Sequence, residues 1–266
     1  MDNRAIGVFD SGLGGLTSLK MLKELLPGED LIYLGDTGRV PYGGRSRETL
    51  MQYARQDMNF LKKFGPKVIV VACNTLCATA LDIIKNEYEI PLIGVIEPSA
   101  EKAAALSKNG KIGVIGTKAT VKSGIYEKKI AEISNTAEII TKACPLLVPL
   151  VENGRIKSGD VVIETVLHEY LEDIKASGTD TLIMGCTHYP LLEGLIAAEM
   201  GDGVTLINSG AEAAKHVAKW LSERDMLNDR GGRCEFYVTD DAADFESTAS
   251  LFLGSDIHGV VRRVTL

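Results

Sequence analysis

Val68-Ile69-Val70-Val71-Ala72-Cys73-Asn74-Thr75 and Thr181-Leu182-Ile183-Met184-Gly185-Cys186-Thr187-His188 follow one pattern. Each is an apolar run, then a small residue, then a cysteine, then polar residues. Short continuous apolar runs of this kind read as strands buried on both faces, as in a parallel sheet. In α/β proteins ligands bind outside the carboxyl ends of such strands. Two cysteines placed there in a repeated frame would face one ligand from opposite sides. That geometry suits a reaction that takes a proton from one face of a carbon and returns one to the other.

The repeat extends outward from the cysteines. Ile6-Gly7-Val8-Phe9-Asp10-Ser11 matches Ile112-Gly113-Val114-Ile115-Gly116-Thr117 at an offset of 106 residues, and Cys73 matches Cys186 at an offset of 113. Tyr42 in Val40-Pro41-Tyr42-Gly43-Gly44 lies opposite Glu152 in Leu150-Val151-Glu152-Asn153-Gly154, at an offset of 110. Offsets that grow slowly and keep their order describe a duplicated half with a few insertions. Strands are expected at 5–10, 31–34, 68–72, 92–96, 111–115, 137–141, 180–184, 204–207 and 235–238. Helices are expected at 15–26, 46–63, 75–87, 98–107, 119–132, 159–176, 190–199, 209–224 and 241–253, with Ser46, Ser209 and Asp241 as caps. Alternating elements of this kind give an α/β fold with mostly parallel sheets. We expect two lobes, the first from 1–96 plus 208–266 and the second from 97–207, with the chain crossing near Ile96-Glu97-Pro98.

Bulk properties narrow the function. A net charge of −7 over 266 residues argues against a nucleic-acid surface. No apolar run reaches about 18 residues, so no membrane span is expected. The chain opens directly into a strand at Ala5-Ile6-Gly7-Val8-Phe9, with no export signal, which points to the cytoplasm. Five cysteines form no disulfide framework and are expected as reduced thiols.

Three segments carry potential chemistry. Asp10-Ser11-Gly12-Leu13-Gly14-Gly15-Leu16-Thr17 joins a strand to a helix. It reads either as an anion-binding loop or as a tight turn capped by Asp10 or Ser11. The glycine-rich loop from Tyr33 to Ser46 follows a strand end; there Tyr42 and the amide of Gly43 would hold a carboxylate, or the loop is a plain connection. Cys73-Asn74-Thr75 and Cys186-Thr187-His188 are the most specific. Each cysteine precedes a helix, whose N-terminus would bring the thiolate near neutrality, with Asp10 and His188 as proton-handling partners. Cys77 shares a helical face with Cys73, but the spacing fits no structural zinc pattern, and no metal is expected. Cys144 and Cys234 read as core or interface residues. His168, His216 and His258 read as structural or exposed, Glu152 as a turn residue or a carboxylate behind the site, and Asp240-Asp241 as a helix cap.

Taken together the segments resemble the cofactor-independent aspartate/glutamate racemase superfamily, and within it the glutamate racemases. The resemblance runs over nearly the whole chain. It is carried by Gly7 to Thr17, Gly35-Asp36, Pro41-Tyr42-Gly43, Ala72-Cys73-Asn74-Thr75, Glu152, Gly185-Cys186-Thr187-His188-Tyr189-Pro190, Tyr237 to Asp241 and Phe252-Leu253-Gly254. It implies two pseudo-symmetric flavodoxin-like lobes enclosing glutamate between them. It implies Cys73 and Cys186 as the acid/base thiols, with Asp10 assisting the first and His188 the second. By the family's pattern Cys73 takes the α-proton of the D-enantiomer and Cys186 that of the L-enantiomer. Asp10, Ser11, Pro41, Tyr42, Gly43, Asn74, Thr75, Thr117, Glu152, Thr187 and His188 would form the substrate-binding shell. D-glutamate for peptidoglycan is the implied product, no cofactor is implied, and pairing into a homodimer stays open. Two other readings remain: a racemase for aspartate or another amino acid on the same scaffold, and a non-catalytic amino-acid-binding or regulatory protein.

Overall fold

The computed structural model describes residues 1–255, 257 and 260–266. His258 lies outside the described residues. Among the described residues ten strands form two all-parallel sheets. The first holds β1 (Ile6–Asp10), β2 (Leu31–Gly35), β3 (Val68–Val71), β4 (Leu92–Gly94), β9 (Cys234–Val238) and β10 (Val261–Arg263), in the order β10-β9-β2-β1-β3-β4. The second holds β5 (Lys111–Gly116), β6 (Glu138–Ala143), β7 (Thr181–Gly185) and β8 (Thr205–Asn208), in the order β6-β5-β7-β8. The order β2-β1-β3-β4 of the first sheet therefore recurs as β6-β5-β7-β8. This is the flavodoxin-like order, which reverses direction at its first strand and opens a crevice there.

Register makes the repeat quantitative. Phe9 pairs with Val71 and Ile115 pairs with Met184. Cys73 lies two residues beyond Val71, and Cys186 two residues beyond Met184. The two thiols thus occupy equivalent positions at the carboxyl ends of equivalent strands. Residues of β1, β2, β3 and β7 are buried along their whole length, as strands covered by helices on both faces must be.

The helix Ser209–Ser222 packs against Leu16–Leu25 on one side and Ile96–Leu106 on the other. Its Ala214, Val217 and Leu221 belong to an apolar core with Leu16, Leu19, Met184 and Tyr189, and its Ala213 to a second with Ile96, Ala100 and Ala103. Several helices differ from expectation. The segment 75–87 breaks at Ala80 into Asn74–Thr79 and Leu81–Ile84, and 119–132 breaks at Gly124, whose φ of 65° ends one helix and starts the next. Ser46 and Asp241 cap their helices, but Asn208 rather than Ser209 caps the helix that follows β8. Glu152 is not in a turn; it ends a short helix, Leu147–Glu152. Among the described residues no helix is long and apolar enough to cross a membrane.

One buried ion pair ties the chain's beginning to its last third. Lys67 Nζ lies 2.6 Å from Glu29 Oε2, both side chains fully buried, and donates to the carbonyls of Asp2 and Met226 at 2.7 Å each. Glu29 Oε1 accepts from the Asn228 amide at 2.8 Å. Removing one member leaves the other charge buried and unpaired. Lys67→Met should therefore lower the unfolding free energy by about 3–5 kcal/mol in urea denaturation, and Lys67→Met with Glu29→Leu by clearly less. Equal losses for the single and double variants would show that the pairing itself is not what stabilises.

Candidate functional site

The carboxyl ends of β1, β3, β5 and β7 and the loop after β2 converge on one cavity of about 480 Å³. Its wall includes Ser11, Pro41, Tyr42, Gly43, Cys73, Asn74, Thr75, Thr117, Glu152, Cys186, Thr187 and His188. All twelve belong to the thirteen residues expected from the sequence, for a simple reason: strand ends in register bring their following residues to one level. Asp10 does not line the cavity. It is fully buried beneath the first loop, where its Oδ2 accepts from the amides of Gly12 at 3.1 Å and Gly15 at 2.9 Å. Its Oδ1 has no hydrogen-bond partner among the described residues.

The two thiols have different surroundings. Cys73 Sγ sits 3.8 Å from Ser11 Oγ, and Cys186 Sγ sits 3.9 Å from His188 Nδ1. Sequence alone suggested a thiolate near neutrality at both. At Cys73 the structure overturns this: burial, joined by the nearby Asp10 carboxylate, pushes the thiol well up, and the amide of Leu76 offsets only part. The helix that follows has only six residues, Asn74–Thr79, so its dipole is weak. Burial likewise raises the Asp10 carboxyl, opposed by the charge of His188 and by the amides of Gly15 and Gly12.

His188 is the charged partner of the site. Burial would pull its imidazole down, but hydrogen bonds to Cys186 and Glu152 outweigh that and push it up to about 10. Its Nε2 lies 3.0 Å from Glu152 Oε1, and its ring meets Phe252 edge-on at 5.6 Å. Cys186, His188 and Glu152 thus form a connected series along the cavity wall. Because the folded value lies above the ordinary 6.5, the stability these contacts contribute is complete below about 6.5 and is lost as pH rises through about 10. Glu152→Gln removes one of the raising charges. The His188 midpoint, followed by NMR titration of the imidazole, should move down; an unmoved midpoint would show that Glu152 does not hold that proton.

Other groups are already committed. The Tyr42 hydroxyl donates to Asp36, with Asp57 Oδ2 also at 3.3 Å, so what Tyr42 offers the cavity is its ring and backbone. Arg39 binds the same two carboxylates, Asp36 at 2.5 Å and Asp57 at 3.0 Å, and stacks 4.2 Å above the Tyr53 ring. This network anchors the loop that carries Gly43 against Thr117. Thr75 and Thr117 share a hydrogen bond of 3.0 Å across the cavity floor, and Thr17 Oγ1 donates to the Thr187 carbonyl at 2.9 Å.

The sequence reading missed the apolar part of the wall: Val40, Cys144, Pro145, Val148 and Pro149. A signal existed. Asp10 pairs with Gly35 and Gly116 with Ala143, so Cys144 is the counterpart of Asp36 at the next strand end. Cys77 is turned into the core, donating to the Val71 carbonyl at 3.2 Å, with burial pushing its thiol up to about 12. Among the described residues no three His, Cys, Asp or Glu side chains converge on a metal position.

Comparison with known proteins places this arrangement. The family model described as Asp/Glu/Hydantoin racemase matches residues 20–217. A glutamate racemase of Thermoanaerobacter pseudethanolicus is 46% identical over 98% of this chain and 97% of its own. One from Geobacter metallireducens is 43% identical over 99% and 97%. The crystal structure of a glutamate racemase isoform from Bacillus anthracis superposes with a TM-score of 0.94 at 39% identity, covering 100% of this chain and 99% of that one. A glutamate racemase from Francisella tularensis, solved in complex with D-glutamate, gives 0.91 at 37% identity, covering 100% and 98%.

Proposed function

The chain belongs to the Asp/Glu/hydantoin racemase family, and from that premise we propose how its residues divide the reaction. The reaction itself is the interconversion of L- and D-glutamate, the source of D-glutamate for peptidoglycan. Cys73 and Cys186 are its two acid/base groups. One thiolate removes the α-proton from one face, the carbanionic charge spreads onto the α-carboxylate, and the other thiol returns a proton to the opposite face. The first sulfur ends protonated and the second ends as thiolate, so atoms and charge balance. The observation that carries this reading is the register: both cysteines stand two residues past equivalent strand pairs and line one cavity.

The α-proton is far less acidic than a thiol, so the site must stabilise the carbanion by fixed donors. Ser11, the Gly43 amide, Asn74, Thr75, Thr117 and Thr187 supply them, and rigid strand ends hold them in place. Asp10 acts on Cys73 from beneath the wall. His188, oriented by Glu152, acts on Cys186. By the family's pattern Cys186 acts as base on the L-enantiomer and Cys73 on the D-enantiomer. The reading needs no cofactor. It places the chain in the cytoplasm, as two lobes from 1–96 plus 208–266 and 97–207, alone or as a homodimer.

The test is proton NMR of the protein with L-glutamate in heavy water, with optical activity followed in parallel. Loss of the α-proton signal together with decay of optical activity to zero is expected. Exchange with retained optical activity would mean that only one face is served, and would sink the two-thiol assignment.

A further inference from the structure

Asn74 lines the cavity yet is only 2% exposed, because two residues that do not reach the cavity hold it from behind. Tyr126, buried in the helix Ile125–Ile133, donates its hydroxyl to Asn74 Oδ1 at 2.7 Å. Asn74 Nδ2 donates to Ser209 Oγ at 3.2 Å, and Ser209 donates to the carbonyl of Met184 at 3.1 Å. This arrangement satisfies every contact with the protons available. The single proton of Ser209 goes to Met184, so toward Asn74 its oxygen accepts and faces the amide nitrogen. Tyr126 then meets the amide oxygen as donor. One N–H of the amide stays uncommitted, on a side chain in the cavity wall.

The same contacts link the two thiols. Asn74 follows Cys73 directly, and Met184 precedes Cys186 by two residues. The Tyr126 ring packs on Gly185, between Met184 and Cys186 at the end of β7: a Cβ added there would come within 3.2 Å of its Cε2. We propose that Tyr126 and Ser209 are positioning residues for the racemisation, setting the Asn74 amide and the spacing of the two thiol-bearing strand ends through the chain Tyr126–Asn74–Ser209–Met184. This rests on the assignment of Asn74 to substrate binding.

A mutant cycle tests it. Tyr126→Phe should lower kcat/KM roughly tenfold, the effect of one lost hydrogen bond in a buried network. The loss must be equal for both enantiomers, because their equilibrium constant is one. In an Asn74→Ala background the same change should cost about twofold at most, since the residue through which Tyr126 acts is gone. Ser209→Ala in the same cycle carries the same expectation and stands in if Tyr126→Phe does not fold, with melting temperature as the check. An undiminished loss in the Asn74→Ala background, or full kcat/KM in Tyr126→Phe, would overturn the proposal. Wild-type kinetics for Asn74→Ala alone would instead remove the assignment of Asn74 to the substrate, and the proposal with it.

Discussion

Cys73→Ser and Cys186→Ser should each lower kcat for racemisation by roughly 10³-fold, within the range that positioned general acid–base groups contribute. Serine preserves shape and hydrogen bonding but is far harder to ionise. The two variants should be equally impaired from both substrate enantiomers in kcat/KM, because a reaction with an equilibrium constant of one cannot be slowed in one direction only. Binding should survive, since the donors of the wall remain. Polarimetric kcat and KM measured from L- and from D-glutamate check this. A loss of less than about tenfold in either variant would mean that its thiol is not one of the two bases.

Gly14→Ala should have the next largest effect, though residue 14 lies outside the cavity wall. A Cβ there would come within 2.2 Å of Thr187 Oγ1 and 2.5 Å of His188 Nδ1. No real contact is that short, so Thr187 and His188 must move, and Nδ1 is the atom that faces Cys186. Misplacement of a catalytic constellation by about 1 Å can cost on the order of 10²-fold, and kcat should fall by about that much. The backbone at residue 14 does not adopt the left-handed region, so the loss of stability should be that of overpacking alone, about 1–3 kcal/mol. A variant within about threefold of wild-type kcat would show that this close approach does not position His188.

The fold was legible because the strands are apolar, short and repeated; all nine that the sequence marks are present. The tenth, Val261–Arg263, has three residues and two arginines, too little pattern to find. The helix Leu147–Glu152 was hidden by Pro149 at its third position and by its brevity. The break at Gly124 depends on one left-handed residue, which an apolar period passes over. In the site, the sequence singled out residues that line one cavity but not their state. The rise of the Cys73 thiol comes from burial and from Asp10, sixty-three positions earlier in the chain. The commitment of the Tyr42 hydroxyl to Asp36 and Asp57, and the grip of Tyr126 and Ser209 on Asn74, are likewise side-chain facts of tertiary packing.

Thiols that must cycle through ionisation are exposed to a hazard that carboxylate bases escape. Peroxides and alkylating agents attack the thiolate, and overoxidised sulfur is lost to catalysis. Cys73 is only 4% exposed, and its proton is held tightly by the same burial. The burial that makes this sulfur hard to ionise therefore also preserves it, and the site keeps one of its two irreplaceable atoms in a chemically quiet form until substrate calls on it.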